Sequence, residues 1–131
     1  MVFFGEYQVS NTAPGRFLLP KKLRELLKGT TFILTKGFDF CLTGYDKDDW
    51  ENKAKELLQV SLLEKENLEK RRFVFSSAVY LEIDEQGRFV IPRNLINYAG
   101  LNEKIVIIGV GDHFELWNSE RWEKYLNNNN K

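Results

Sequence analysis

Polar and apolar residues alternate at the start of the chain, where Tyr7 and Val9 interleave with Gln8 and Ser10. This spacing predicts a strand over 2–9 with one buried face. The alternation returns at Val79, Leu81 and Ile83 against Tyr80 and Glu82, an offset of 72 (79 less 7). Each strand leads to a turn, over 11–15 in the first case, with Gly15 or Gly87 free to take positive φ. Unbroken apolar runs follow at 17–19 and 89–91, and predict short strands buried on both faces. Pro20 and Pro92 then suit the first position of a helix, where a missing N–H costs nothing. Leu23, Leu26 and Leu27 recur at helical spacing and predict a helix over 20–28, with Lys21, Lys22, Arg24 and Lys28 on its other face. Its counterpart covers 92–99, and Gly29 and Gly100 suit the residue just past each helix.

The β-branched stretch 31–36 predicts a third strand. After Gly37 a fourth is expected, with Phe38, Phe40 and Leu42 on one face and Asp39 and Cys41 on the other. Asp46 suits the N-cap of a helix whose acidic first turn fits the helix dipole, with Trp50, Ala54, Leu57 and Leu58 on one side. A further amphipathic helix over 62–75 carries the charged run 64–72. The second cycle continues with strands over 104–108 and 113–117. Gly37, Phe40 and Leu42 match Gly111, Phe114 and Leu116 at an offset of 74 (114 less 40), which predicts two residues inserted near the second helix–strand connection. Trp50-Glu51 then returns as Trp122-Glu123 at 72 (122 less 50). The polar tail 127–131 is expected to fray.

The chain therefore reads as an internal duplicate. A unit of about 40 residues is marginal alone, so two units are expected to interleave strands and share one core about a pseudo-two-fold axis. The expected fold is α+β with a mostly β core, and extra helices after each repeat. Residues 1–131 form one compact structural domain, divided as repeat 1 over 5–47, a helical connector over 48–76, repeat 2 over 77–120, and a helix end with polar tail over 121–131.

Composition narrows the function. Ten Phe, five Tyr and three Trp suffice for a core. Lys plus Arg balance Asp plus Glu at 19 each, so nucleic-acid binding would have to rest on local patches. One cysteine excludes a disulfide scaffold and fits a reducing cytosol. One His and one Cys make no metal site without several carboxylates, and no metal or cofactor is expected. No run approaches the ~20 apolar residues of a membrane span, and no leader pattern opens the chain. The expectation is a soluble cytoplasmic protein with no membrane partner.

Local charge is uneven. From Arg16 to Lys28 five cations face Glu25 alone, a net of +4, and from Arg88 to Lys104 three face Glu103 alone, a net of +2. Such patches suit phosphates. An arginine on a stiff loop can read guanine bidentately, while Lys21 and Lys22 suit the backbone. Asp84 stands four residues before Arg88 and would orient it by a charge-assisted pair. Thr12 holds the same place before Arg16 and offers only a hydroxyl. Trp50, Trp117 and Trp122 suit a core or a subunit interface, His113 a surface or partly buried place, and Cys41 inert packing. An enzyme with one Asp per repeat as a proton-sharing dyad is excluded by Thr12, and no phosphate-binding glycine motif is present. A ring-forming scaffold or antitoxin-like partner binder without DNA readout stays open.

Several features together resemble the MraZ family of bacterial transcriptional regulators. They are the doubled Gly-Arg-x-x-x-Pro at Gly15-Arg16…Pro20 and Gly87-Arg88…Pro92, the Asp-x-x-x-Arg spacing at Asp84…Arg88, the ends Cys41-Leu42 and Phe114-Glu115-Leu116-Trp117, and the block 73–78. The likeness spans 3–126. It implies two tandem AbrB-like, swapped-hairpin repeats. It further implies a non-enzymatic, sequence-specific regulator, repressor or activator, that binds short repeated boxes in double-stranded DNA. The site would be the promoter of a division and cell-wall gene cluster that begins with its own gene. Nucleoid association and closed homo-oligomeric rings of roughly eight to twelve subunits are implied too. Carried onto this chain, the DNA-binding residues are Arg16, Lys21, Lys22, Arg24, Arg88 and Arg93. Thr12, Gly15, Asp84 and Gly87 are the motif and orienting residues.

Overall fold

The computed structural model describes residues 2–129. The first repeat supplies β1 (Glu6–Ala13), β2 (Arg16–Leu18), α1 (Lys21–Arg24), β3 (Thr31–Lys36) and β4 (Leu42–Tyr45). The helices α2 (Lys47–Gln59) and α3 (Lys65–Ser77) follow. The second repeat supplies β5 (Val79–Glu82), β6 (Arg88–Val90), α4 (Arg93–Ala99), β7 (Lys104–Gly109) and β8 (Phe114–Asn118), and α5 (Ser119–Asn129) ends the chain.

All eight strands join one antiparallel sheet in the order β5-β3-β4-β8-β7-β1-β2-β6. The pairing is exchanged between repeats: β1 pairs with β7, and β5 pairs with β3. The two remaining cross-repeat pairs, β2 with β6 and β4 with β8, are self-matched. Phe17 opposes Phe89 at the middle of the first. About that point Leu19 N–H donates to Gly87 O and Ile91 N–H to Gly15 O, both at 2.9 Å. The end strands β5 and β6 meet through the turn between them, where Asp84 N–H donates to Arg88 O at 2.9 Å, so the sheet is a nearly closed barrel. The expected α+β fold, with strands interleaved between the repeats about a pseudo-two-fold axis, is therefore present.

The barrel is filled by rings. Phe32 meets Phe89 edge-on at 5.2 Å and Phe114 at 5.5 Å, and Phe3 meets Phe114 at 5.4 Å. Each such ring contributes about 1.5–3 kcal/mol by burial. Outside the barrel, Trp50 packs on Tyr45 and Phe75, and holds α2 and α3 together. A buried Ser77 accepts Lys36 N–H and bonds Thr35 Oγ1 at 2.8 Å, which ties α3 to β3. Trp117, Trp122 and Tyr125 stack to dock α5 on the sheet. Burial pushes the Cys41 thiol far up, as inert packing requires. No helix among the described residues is long and apolar enough to cross a membrane.

Several expectations are corrected. The runs at 17–19 and 89–91 are not buried on both faces: Leu18 is 39% and Val90 58% exposed. Strand alternation turns them outward, because no layer covers β2 and β6. Strand β1 starts only at Glu6, since Gly5 at φ 99° bends the chain and lets Phe3 enter the core; it then runs on to Ala13. The first helix is one turn. After Arg24 the chain tightens to i→i+3 bonds, Leu26 to Leu23 and Leu27 to Arg24, which keeps both leucines on the core. Pro20 and Pro92 are caps one place before the helix, where their extended backbone (ψ 137° and 146°) turns the carbonyl into it. Gly100 is a left-handed cap at φ 61°, whereas Gly29 follows no helix end.

Phe38 and Phe40 are not strand residues. Asp39 and Phe40 take φ near 60°, reverse the chain, and leave both rings outside, Phe38 stacked on Phe73 and Phe40 tilted against Tyr98. The predicted offset of 74 also fails. Ser10 pairs with Lys104 and Glu82 with Thr31, so β3 and β7 match at 73 (104 less 31). Lys36 pairs with Leu42 and Gly109 with Phe114, so β4 and β8 match at 72 (114 less 42). One residue gained before β7 is lost again in the loop before β8. Asp46 occupies the N-cap, but its carboxylate accepts Lys28 N–H at 3.2 Å rather than capping α2. The second amphipathic helix starts at Lys65, not 62. The expected fraying at 127–129 is not seen, as α5 continues to Asn129; residues 130–131 lie outside the described residues.

Gly44 faces Phe114 across the β4–β8 pair, and a Cβ there would collide with that ring. Gly44→Ala should cost about 1–3 kcal/mol by overpacking, measured by urea unfolding. Gly29→Ala, with nothing within 4 Å, should cost nothing.

Candidate nucleic-acid interface

The β2–β6 ribbon points Phe17 and Phe89 inward, so its alternate residues point out. The cross-strand pairs on that outer face are Arg16 with Val90 and Leu18 with Arg88. Arg16 and Arg88 are diagonal neighbours, ~7–8 Å apart at this register. The sequence missed Leu18 and Val90 as part of this surface. Their period-two spacing with the arginines was the available signal.

Each arginine side chain is tethered by its Nε and by nothing else among the described residues. Arg88 Nε–H donates to Asp84 Oδ2 at 2.8 Å. Arg16 Nε–H donates to Thr12 Oγ1 at the same 2.8 Å. The neutral hydroxyl thus reproduces the posture set by the carboxylate, with its own proton on Arg16 O at 3.3 Å. Both Nη pairs stay unpaired among the described residues, a planar fork suited to an oxygen or ring-nitrogen acceptor pair. The turns that hold them need Gly15 and Gly87 at φ 75° and 87°.

Asp84 does more than Thr12. Its Oδ1 accepts Gln86 N–H and Arg88 N–H, each at 2.9 Å. The Arg88 amide, and then the Arg88 side chain and the Gln86 amide, hold its carboxyl below the usual range. Lys21, Lys22 and Arg93 are exposed on the flanking helices, Lys21 in a loose 4.0 Å pair with Glu25. Arg24 behaves differently: its Nε is buried without a partner among the described residues, against Gly87. No group of three or more His, Cys, Asp or Glu among the described residues is placed to hold a metal. His113 lies away from this surface, bonded to Asp112 at 2.7 Å and Glu115 at 3.1 Å. Burial would lower it, but those two carboxylates hold it above its usual value.

A family model described as "MraZ protein, putative antitoxin-like" matches the chain twice, over residues 2–73 and 74–131. The chain belongs to the MraZ family. It is 43% identical over 129 residues to the transcriptional regulator MraZ of Acetivibrio thermocellus, covering 98% of this chain and 90% of that one. It is 40% identical over 124 residues to that of Lactiplantibacillus plantarum, and 43% over 124 to that of Clostridium tetani. Both cover 95% of this chain and 87% of the relative. The MraZ relatives are named as regulators of transcription, not as enzymes.

The two MraZ loops should differ in acid. A carboxyl held low in the folded state stabilises its loop above the ordinary Asp value of about 3.9, and that stability is lost as pH falls through the lower folded value. Amide chemical shifts of Gln86 and Arg88 should therefore hold steady down to the ordinary carboxylate range and move only below it. Those of Gly15 and Arg16, beside Thr12, should not follow.

Proposed function

We propose that this transcription regulator binds double-stranded DNA with sequence preference through the β2–β6 ribbon. The observation that carries this is the pair of Nε-tethered guanidinium groups on one outward face, with Nη forks unpaired among the described residues. A two-stranded ribbon fits the major groove, where such forks match guanine O6 and N7. Leu18 and Val90 lie between them and suit the thymine methyl. Lys21, Lys22 and Arg93 flank the ribbon and grip phosphates, which fixes register. Thr12, Gly15, Asp84 and Gly87 hold the loops.

The target is the promoter of the division and cell-wall gene cluster headed by its own gene, and the protein works in the cytoplasm on the nucleoid. Each chain offers a modest patch. A closed homo-oligomeric ring of about eight or more subunits would present it many times, so repeated boxes on one DNA bind by avidity. A partner-binding scaffold is the second reading, favoured by the exposed apolar tip at Leu58, Val60, Leu62 and Leu63.

The test is fluorescence anisotropy with duplex DNA from just upstream of the coding sequence, across a salt series. Arg16→Ala and Arg88→Ala should each weaken specific binding by roughly 1–3 kcal/mol while the oligomer persists. Wild-type binding by both variants removes the loops from the reading.

A further inference from the structure

The two loops look alike from the front and differ behind. At Gly87 the space a Cβ would fill is taken by the Arg24 guanidinium, which reaches across from the first repeat. Gly87 is buried beneath it. At Gly15 a Cβ would meet only Ile91 O, at an ordinary 3.6 Å. The residue equivalent to Arg24 in the second repeat is Ile96 (96 less 24 is 72), an apolar side chain packed on the core. So the Arg88 loop is covered by a cation and the Arg16 loop is not.

The burial of Arg24 Nε without a partner among the described residues has a cost, because an orphaned donor loses its water. A lysine-like contact with phosphate would not need it. A planar guanidinium laid on a glycine peptide does, since it packs as a plate as well as a charge. The same loop has the denser bonding. Asp84 accepts from Gln86 N–H, Arg88 N–H and Arg88 Nε–H, where Thr12 accepts one bond and donates one. Strand β1 is also irregular between Asn11 and Ala13, just before the first loop.

We infer that Arg24 is a positioning residue that clamps the Arg88 loop, and that this makes the second repeat the base-reading half of the ribbon while Arg16 plays a lesser part. The clamp stands on the geometry alone; the division of labour rests on the DNA-binding reading above. A guanidinium already held in its bound posture loses little freedom on binding and discriminates better between acceptor patterns. Arg24 thereby leaves the set of direct DNA contacts.

The test uses the full-length chain with Arg24→Lys, which keeps the charge but not the plate, and Arg24→Gln. Amide hydrogen exchange without DNA should rise about tenfold or more at Gln86, Gly87 and Arg88 in both variants, with Gly15 and Arg16 unchanged. Unchanged exchange at 86–88 overturns the clamp. Discrimination between the upstream duplex and a scrambled duplex of equal composition should fall alike in both variants, while Arg24→Lys binds the scrambled duplex as wild type does. Full discrimination by Arg24→Lys would mean a contact by charge only, and overturns the proposal. Arg88→Ala should lose more discrimination than Arg16→Ala; equal or reversed losses overturn the division of labour. Should the wild-type chain not distinguish the two duplexes, the DNA reading falls and takes that division with it, and the exchange result still decides the clamp.

Discussion

Neither repeat can complete its own sheet. The three-residue strands β2 and β6 are too short to persist alone; β2 lies between β1 of its own repeat and β6 of the other. Phe17 and Phe89 face each other across that pair and are both 1% exposed. The carbonyls of Gly15 and Gly87, in the turns that carry the arginines, are each bonded by the opposite repeat. Barrel closure and loop posture thus depend on pairing between the repeats, of which β2 with β6 is one of four such pairs. A ribbon built this way is stiff without being long, since both its ends are anchored across the dyad.

The same geometry is reached twice by different chemistry. At Arg88 a carboxylate collects two amides and a guanidinium. At Arg16 a hydroxyl accepts the same Nε bond without charge. Both bonds have a cationic donor, and the one to a carboxylate is the stronger, yet on an exposed turn solvent erodes much of the difference. What separates the loops more is packing: Arg24 covers one and Ile96 leaves the other open. The pseudo-symmetry is therefore a property of the backbone, and the side chains behind the loops break it.

The outer layers show the division between sheet and helices. α5 is fastened by the contact of Trp122 and Tyr125 with Trp117 on the sheet and by Asn118, whose Oδ1 accepts Arg121 N–H at 3.0 Å as a true N-cap. α2 has no buried residue, and its link to α3 ends in leucines open to solvent, Leu63 at 97% exposure. The barrel does not need that tip, which is free for other contacts.

The duplication and the turn glycines were legible in the sequence because they follow from local rules, and the swapped fold through the family resemblance that the repeated motifs carry. Glycine is favoured where φ is positive, proline suits the opening of a helix, and alternation marks one buried face. Thr31–Lys36 was legible to the residue. Which faces are covered was not. Leu18 and Val90 have the same composition as a buried run, and only the lack of an overlying layer makes them surface. Phe38 and Phe40 mimic a strand, and only the left-handed reversal between β3 and β4 expels them. The offset of 74 rested on matching residue types, whereas pairing register obeys hydrogen bonds and loop length. Arg24 reads as one more helix cation until the fold brings Gly87 beneath it, a contact between repeats that no spacing within one repeat could announce. Local backbone preference is written in neighbouring residues; burial is a relation between distant ones, and it exists only once the chain has closed.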